Sequence, residues 1–124
     1  ESLAHRGPLR VLVHDAARPM ASPELITRVV EALDDHEAVI PALAVTDTIR
    51  RVTGGGSETV PRENLFAMQT PQGFHYAPLL AAHRRFAGEQ LTDDAAVMER
   101  AGRRLHLVEG DASNFKITTQ TDMA

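Results

Sequence analysis

The sequence predicts an α/β domain built on a mainly parallel sheet. Two observations carry this. Short apolar runs such as "VLV" at 11–13 and "AVIPALAV" at 38–45 alternate with segments whose apolar residues recur at helical spacing. The resulting order is strand, helix, strand, polar arm, two helices, strand, strand, and such alternation favours crossover connections. The 124 residues fit one domain.

Leu9 to Val13 is the first strand, bounded by Pro8 and Asp15. Ser22-Pro23-Glu24 opens a helix with a capping hydroxyl, a proline in the first turn and an acid behind it. Leu25, Ile26, Val29, Val30 and Leu33 form its apolar face, and Asp34-Asp35-His36 ends it. Ala38 to Val45 is a second strand, where Pro41 predicts an edge position or a bend rather than a central strand. From Thr46 to Val60, "DTIRRV", "TGGGSE" and "TV" read as two polar strand arms around a glycine-rich turn. Such an arm forms no core of its own and rests on a partner subunit or a substrate. "ENLFAMQTPQGF" reads as a loop. Pro78 to Phe86 is a helix with Leu79, Leu80, Ala82 and Phe86 inward. Thr92-Asp93-Asp94 caps another, running through Met98 to Gly102. "RLHLVEG" and "SNFKITT" are the last two strands.

Net charge is −4, which argues against a polyanion-binding protein. One tyrosine and four phenylalanines leave little for base stacking, so nucleic acid is not an expected partner. No apolar run approaches the roughly 20 residues of a membrane span. There is no cysteine, which excludes disulfides and thiolate metal sites. With no secretory-signal pattern in view, the expected location is cytoplasmic. Twelve of the thirteen basic residues are arginine, and Lys116 is the single lysine. The chain opens on "ESLAHRGPLR", without methionine, and reads as a piece of something longer.

Ligands of open α/β sheets sit beyond the carboxyl ends of strands. Asp15 and Arg18 lie there, in "VLVHDAARP", separated by small alanines that would let a ligand approach the backbone. Arg18 can fork onto a phosphate and Asp15 can accept from hydroxyls. An internal Asp–Arg pair that fixes the turn fits the spacing equally well. Asp47 and Thr48 follow the second strand; on residue type alone they start a turn. Arg50, Arg51 and Arg62 put positive charge on and near the arm, where a solvated face is the plainer reading. Thr92 is a helix cap, although a helix start can also attract an anion. Lys116 sits between Phe115 and Ile117 as a strand lysine, and near Arg18 it would clamp a phosphate. The six histidines show no metal-ligand spacing; His75 and His83 read as surface or cap residues.

Together, "VLVHDAARP", "VTDTIRRV", "TVPRENLFAMQTPQGF", "LTDDAAVMERAG" and "LVEGDASNFKITTQTDMA" resemble the 2-C-methyl-D-erythritol 4-phosphate cytidylyltransferases of the non-mevalonate isoprenoid pathway. The arginine-rich character is similar to the cytidylyltransferase half of bifunctional enzymes that also carry a cyclodiphosphate synthase. The resemblance implies a Rossmann-like nucleotidyltransferase sheet, of which this is the C-terminal portion, with a projecting β-arm. It implies transfer of CMP from CTP to methylerythritol phosphate with release of pyrophosphate, a magnesium requirement, and a homodimer whose arm completes the partner's site. Residues 1–124 are then a partial cytidylyltransferase domain with its arm at about 46–62. Matched by position, Asp15, Arg18, Thr48 and Thr92 contact substrate. Arg62 reaches into the neighbouring subunit, and Lys116 helps to position the attacking phosphate. The family's glycine-rich CTP loop has no counterpart before Leu9, and Gly54 to Gly56 lies in the arm. The expectation is a fragment that does not turn over CTP by itself. A ribitol-phosphate cytidylyltransferase and a non-catalytic dimerising fragment are the alternatives.

Overall fold

Strand direction organises the molecule. In the computed structural model, which describes residues 9–18, 21–91 and 93–112, β1 (Arg10–Val13) pairs antiparallel with β6 (Gln72–His75). β6 pairs antiparallel with the start of β2 (Ala38–Ala44). On the opposite edge of β2, β7 (His106–Glu109) runs parallel to it. β1, β2 and β7 therefore point the same way, as alternating strands and helices require. Even so, the mainly parallel sheet is corrected: β2–β7 is the one parallel pair among the described residues. The cause is the segment read as a loop. "ENLFAMQTPQGF" holds β5 (Phe66–Met68) and β6, and both run antiparallel along one edge of β2 with a two-residue shift of register between them. Three- and four-residue strands interrupted by Pro71 carry too few alternations to be read from periodicity.

Pro41 needs a second correction. It is buried in β2, which is paired on both edges and so is central. Its carbonyl accepts from the backbone N–H of Gln69, so its bonding side faces the break between β6 and β5. The N–H that proline lacks falls at a bulge, where no ladder bond is lost.

Helices cover both faces. α1 (Pro23–Ala32) is capped by Ser22, whose hydroxyl accepts from Leu25 N–H at 3.2 Å. Its Val29 and Leu33 pack on Val39 of β2. Gly73 of β6 makes that approach possible: a Cβ there would lie 2.7 Å from Val29 Cγ1 and 2.9 Å from Leu33 Cδ1. On the other face, Ala38, Ile40 and Phe74 meet α2 (Tyr76–Arg85) and α3 (Asp94–Arg100) through Leu79, Ala82, Ala95, Val97 and Met98. Adjacent residues Val39 and Ile40 thus serve opposite layers, the period-2 signature of a strand. Leu80 is only partly buried, whereas Leu79, Ala82 and Phe86 are buried as expected. The cap of α3 is Asp93, which accepts from Ala96 N–H at 2.8 Å. Thr92 lies outside the described residues, as does the expected strand around Lys116. Gly102, with φ +81°, ends α3 in the left-handed region that favours glycine.

β3 (Ile49–Thr53) and β4 (Gly56–Val60) pair only with each other among the described residues, forming the expected hairpin. Every residue of the two strands except Val60 is exposed. Arg50 donates to Ser57 and Thr59, and Arg51 pairs with Glu58 at 3.2 Å, so polar cross-strand contacts hold it.

Candidate functional site

A cleft of about 540 Å³ opens beyond the carboxyl end of β1. Val13, Met68, Leu91 and Val97 supply its apolar lining; His14, Asp15, Arg18, Thr70, Gln72, His83, Asp93 and Asp94 supply the polar lining. It is assembled from three places: the turn after β1, the break between β5 and β6, and the facing parts of α2 and α3.

The turn is fixed by short local bonds. Arg18 N–H donates to Asp15 C=O at 3.0 Å, and Ala17 N–H donates to the Asp15 carboxylate at 2.9 Å. Asp15 N–H donates to Thr70 Oγ1 at 2.9 Å, and the same oxygen meets His14 Nδ1 at 3.1 Å. The Arg18 guanidinium reaches Met68 C=O at 3.4 Å. Across the cleft, His83 Nε2 meets Asp94 Oδ1 at 2.7 Å. The described lining thus carries one arginine against three aspartates. An anion entering it needs further cations, because unbalanced carboxylates repel a phosphate.

Of the residues singled out from the sequence, Asp15 and Arg18 share this cleft. Leu91 and Asp93, the neighbours of Thr92, line it too, while Thr92 and Lys116 lie outside the described residues. Thr48 and Arg62 are not among its lining residues. Both are exposed beside the hairpin, where the Arg62 guanidinium donates to Thr46 C=O at 2.7 Å. Sequence reading missed His14, Thr70, Gln72 and His83. Thr70 and Gln72 sit in the segment taken for a loop. His14 had a signal, its place beside Asp15 at the strand end. His83 is exposed, as read, and also lines the cleft, while His75 is the N-cap residue of α2 and meets Leu33 C=O at 2.6 Å.

Residues 2–124 match the family described as IspD: 2-C-methyl-D-erythritol 4-phosphate cytidylyltransferase. The chain belongs to that family. It is 54% identical over 124 residues to the bifunctional enzyme IspD/IspF of Rhodospirillum rubrum, covering 99% of this chain and 32% of that protein. The bifunctional enzyme of Maricaulis maris is 52% identical over 115 residues, 90% of this chain and 30% of its own length. Among solved structures, the 2-C-methyl-D-erythritol 4-phosphate cytidylyltransferase of Thermus thermophilus superposes with a TM-score of 0.84 at 44% identity, over 92% of this chain and 58% of that one. The bifunctional IspDF of Campylobacter jejuni gives 0.79 at 30% identity, over 98% of this chain and 31% of its own. The chain thus spans about a third of the length of its bifunctional relatives. The mixed α/β sheet is the fold of the IspD family structures. Among the described residues no helix is long and apolar enough to cross a membrane.

Proposed function

We propose that this chain is the C-terminal part of a catalytic domain that transfers CMP from CTP to 2-C-methyl-D-erythritol 4-phosphate and releases pyrophosphate, a step of non-mevalonate isoprenoid synthesis in the cytoplasm. The observation that carries the reading is the shared cleft: Asp15, Arg18 and both neighbours of Thr92 line one cavity at a strand's carboxyl end, in a chain of the IspD family. Residues 1–124 act as a partial cytidylyltransferase domain whose arm spans about 46–62.

The reaction brings two anions together. The phosphate monoester attacks the α-phosphorus of CTP in line, and charge gathers on the equatorial oxygens. Fixed cations stabilise that charge without a covalent intermediate. Arg18 holds the alcohol phosphate by its fork, Asp15 accepts from the polyol hydroxyls, and Thr92 adds a further substrate contact. Lys116 helps to position the attacking phosphate, as the family resemblance implies. Thr48 contacts methylerythritol phosphate from the base of the arm, and Arg62 acts from the arm of a partner subunit in a homodimer, which supplies the second cation that the cleft's three aspartates call for. Magnesium would arrive on the CTP phosphates. Among the described residues no three His, Cys, Asp or Glu side chains converge to hold an ion, and Mg²⁺ commonly binds substrate phosphates with only one or two carboxylates.

The test supplies the natural full-length protein with CTP, Mg²⁺ and a panel containing methylerythritol 4-phosphate and ribitol 5-phosphate. The expected result is pyrophosphate release with preference for methylerythritol phosphate. Preference for ribitol 5-phosphate, or no release with any alcohol phosphate, overturns the assignment.

A further inference from the structure

Where α2 and α3 meet, the cleft wall carries a pair that the transfer chemistry above leaves unused. His83 Nε2 stands 2.7 Å from Asp94 Oδ1, and both residues line the cleft. The imidazole side chain is 47% exposed and the carboxylate 26%, so the pair exchanges protons with water. The charged neighbours are few. Asp93, beside Asp94, turns its carboxylate onto its own helix and accepts Ala96 N–H at 2.8 Å. On the facing turn, the Asp15 carboxylate accepts Ala17 N–H at 2.9 Å, Arg18 reaches Met68 C=O at 3.4 Å, and His14 Nδ1 meets Thr70 Oγ1 at 3.1 Å. On α2 itself, Arg84 and Arg85 follow His83 but are not lining residues of the cleft. Among the described residues, Asp94 therefore takes its side-chain partner from His83.

We infer that His83 is a specificity-determining residue of the cleft: as an imidazolium it offsets the Asp94 carboxylate, and the wall then tolerates the phosphate of an alcohol substrate. The inference rests on the function proposed above. The described lining sets Arg18 against three aspartates, and a further anion meets net repulsion there. A proton on His83 removes one negative charge from that balance without any movement of the chain. The pair is too exposed to add much stability, since solvated ion pairs contribute little. Its effect is on the field that an entering anion meets. The phosphate feels that field before and during transfer alike, so the pair acts on KM and hardly on kcat. The sign follows from the imidazole: charged at low pH, it loses the charge as pH rises, and the affinity gained through it falls in the same direction.

The experiment measures kcat and KM for methylerythritol 4-phosphate in the natural full-length protein from about pH 5.5 to about pH 8, where histidine changes charge. His83→Gln keeps a donor for Asp94 and loses the charge. His83→Lys keeps a charge that persists to high pH. Loss of one partly screened charge predicts a KM raised roughly 3- to 10-fold in His83→Gln at the acid end, with kcat little changed. The gap closes toward the alkaline end, where the unsubstituted imidazole has lost its proton too. His83→Lys holds the low KM across the range. Adding Asp94→Asn to His83→Gln returns KM to near the unsubstituted value, because the neutral pair has the net charge of the ion pair. Unchanged KM at the acid end in a folded His83→Gln protein overturns the inference. So does a KM gap that does not narrow with pH, a His83→Lys protein that matches His83→Gln, or no recovery on adding Asp94→Asn. Failure of the functional proposal shows separately, as no product from the unsubstituted protein at any pH; calorimetric titration with inorganic phosphate then reads the same pH-dependent gap in affinity.

Discussion

The backbone N–H of Asp15 donates to the hydroxyl of Thr70 at 2.9 Å, tying the turn after β1 to the bulge between β5 and β6. Thr70→Val keeps the shape and removes the acceptor. A partly buried donor that loses its partner costs about 1–3 kcal/mol, and here the cost falls on the geometry of the turn. The expected outcome is weaker binding of the alcohol phosphate with the overall fold kept, and recovery in Thr70→Ser. Calorimetric titration of the three proteins checks it; equal affinities would separate the turn from the substrate site.

Gly73→Ala tests the packing of α1 on the sheet. The new methyl would meet Val29 at 2.7 Å and Leu33 at 2.9 Å. Overpacking of this kind costs about 1–3 kcal/mol. Denaturant unfolding should give a lower midpoint with the same slope. A midpoint equal to that of the unsubstituted protein would mean that α1 shifts freely over β6.

Arg18→Lys keeps the charge and loses the fork. A bidentate contact to phosphate is worth more than a point charge, so transition-state stabilisation should fall by about 1.5–3 kcal/mol and kcat/KM by roughly 10- to 150-fold. Arg18→Ala should fall further. Steady-state kinetics with the alcohol phosphate varied decide it; a lysine enzyme equal to the unsubstituted one removes Arg18 from phosphate binding.

Arg62→Ala and Arg18→Ala should complement one another. In the proposed homodimer, each substitution spoils both sites of its own dimer. A mixed dimer joins the intact Arg18 of one subunit to the intact Arg62 of the other at one of its two sites. Random reassociation of equal amounts should therefore restore about a quarter of the activity of the unsubstituted protein, since half the dimers are mixed and each has one whole site. Activity in the mixture no higher than in either parent would return Arg62 to its own subunit's chemistry.

Much of the architecture was legible because it follows from local rules. Ser22 caps α1, Val29 and Leu33 recur at helical spacing, and Gly102 stops α3, each by chemistry within a few residues. The hairpin followed in the same way from its glycine turn. What escaped depends on neighbours far away in sequence. Pro41 looks like an edge residue until Gln69 reveals the bulge opposite it, and β6 cannot be seen in "QGFH" because Gly73 answers to Val29 and Leu33 rather than to its own strand. The site divides likewise. Asp15 and Arg18 were visible from their place at a strand end, whereas Thr70, Gln72 and His83 enter the cleft only through the sheet order and the packing of α2 on α3.

The hairpin of β3 and β4 lies bare on both faces, with Val52 at 82% exposure. Two strands alone are marginal in water. If Arg62, just beyond the hairpin, serves a neighbouring copy, the order of this arm becomes a property of protein concentration: dilution leaves folded chains whose sites are unfinished, and the abundance of the protein, not only its sequence, decides how much working enzyme exists.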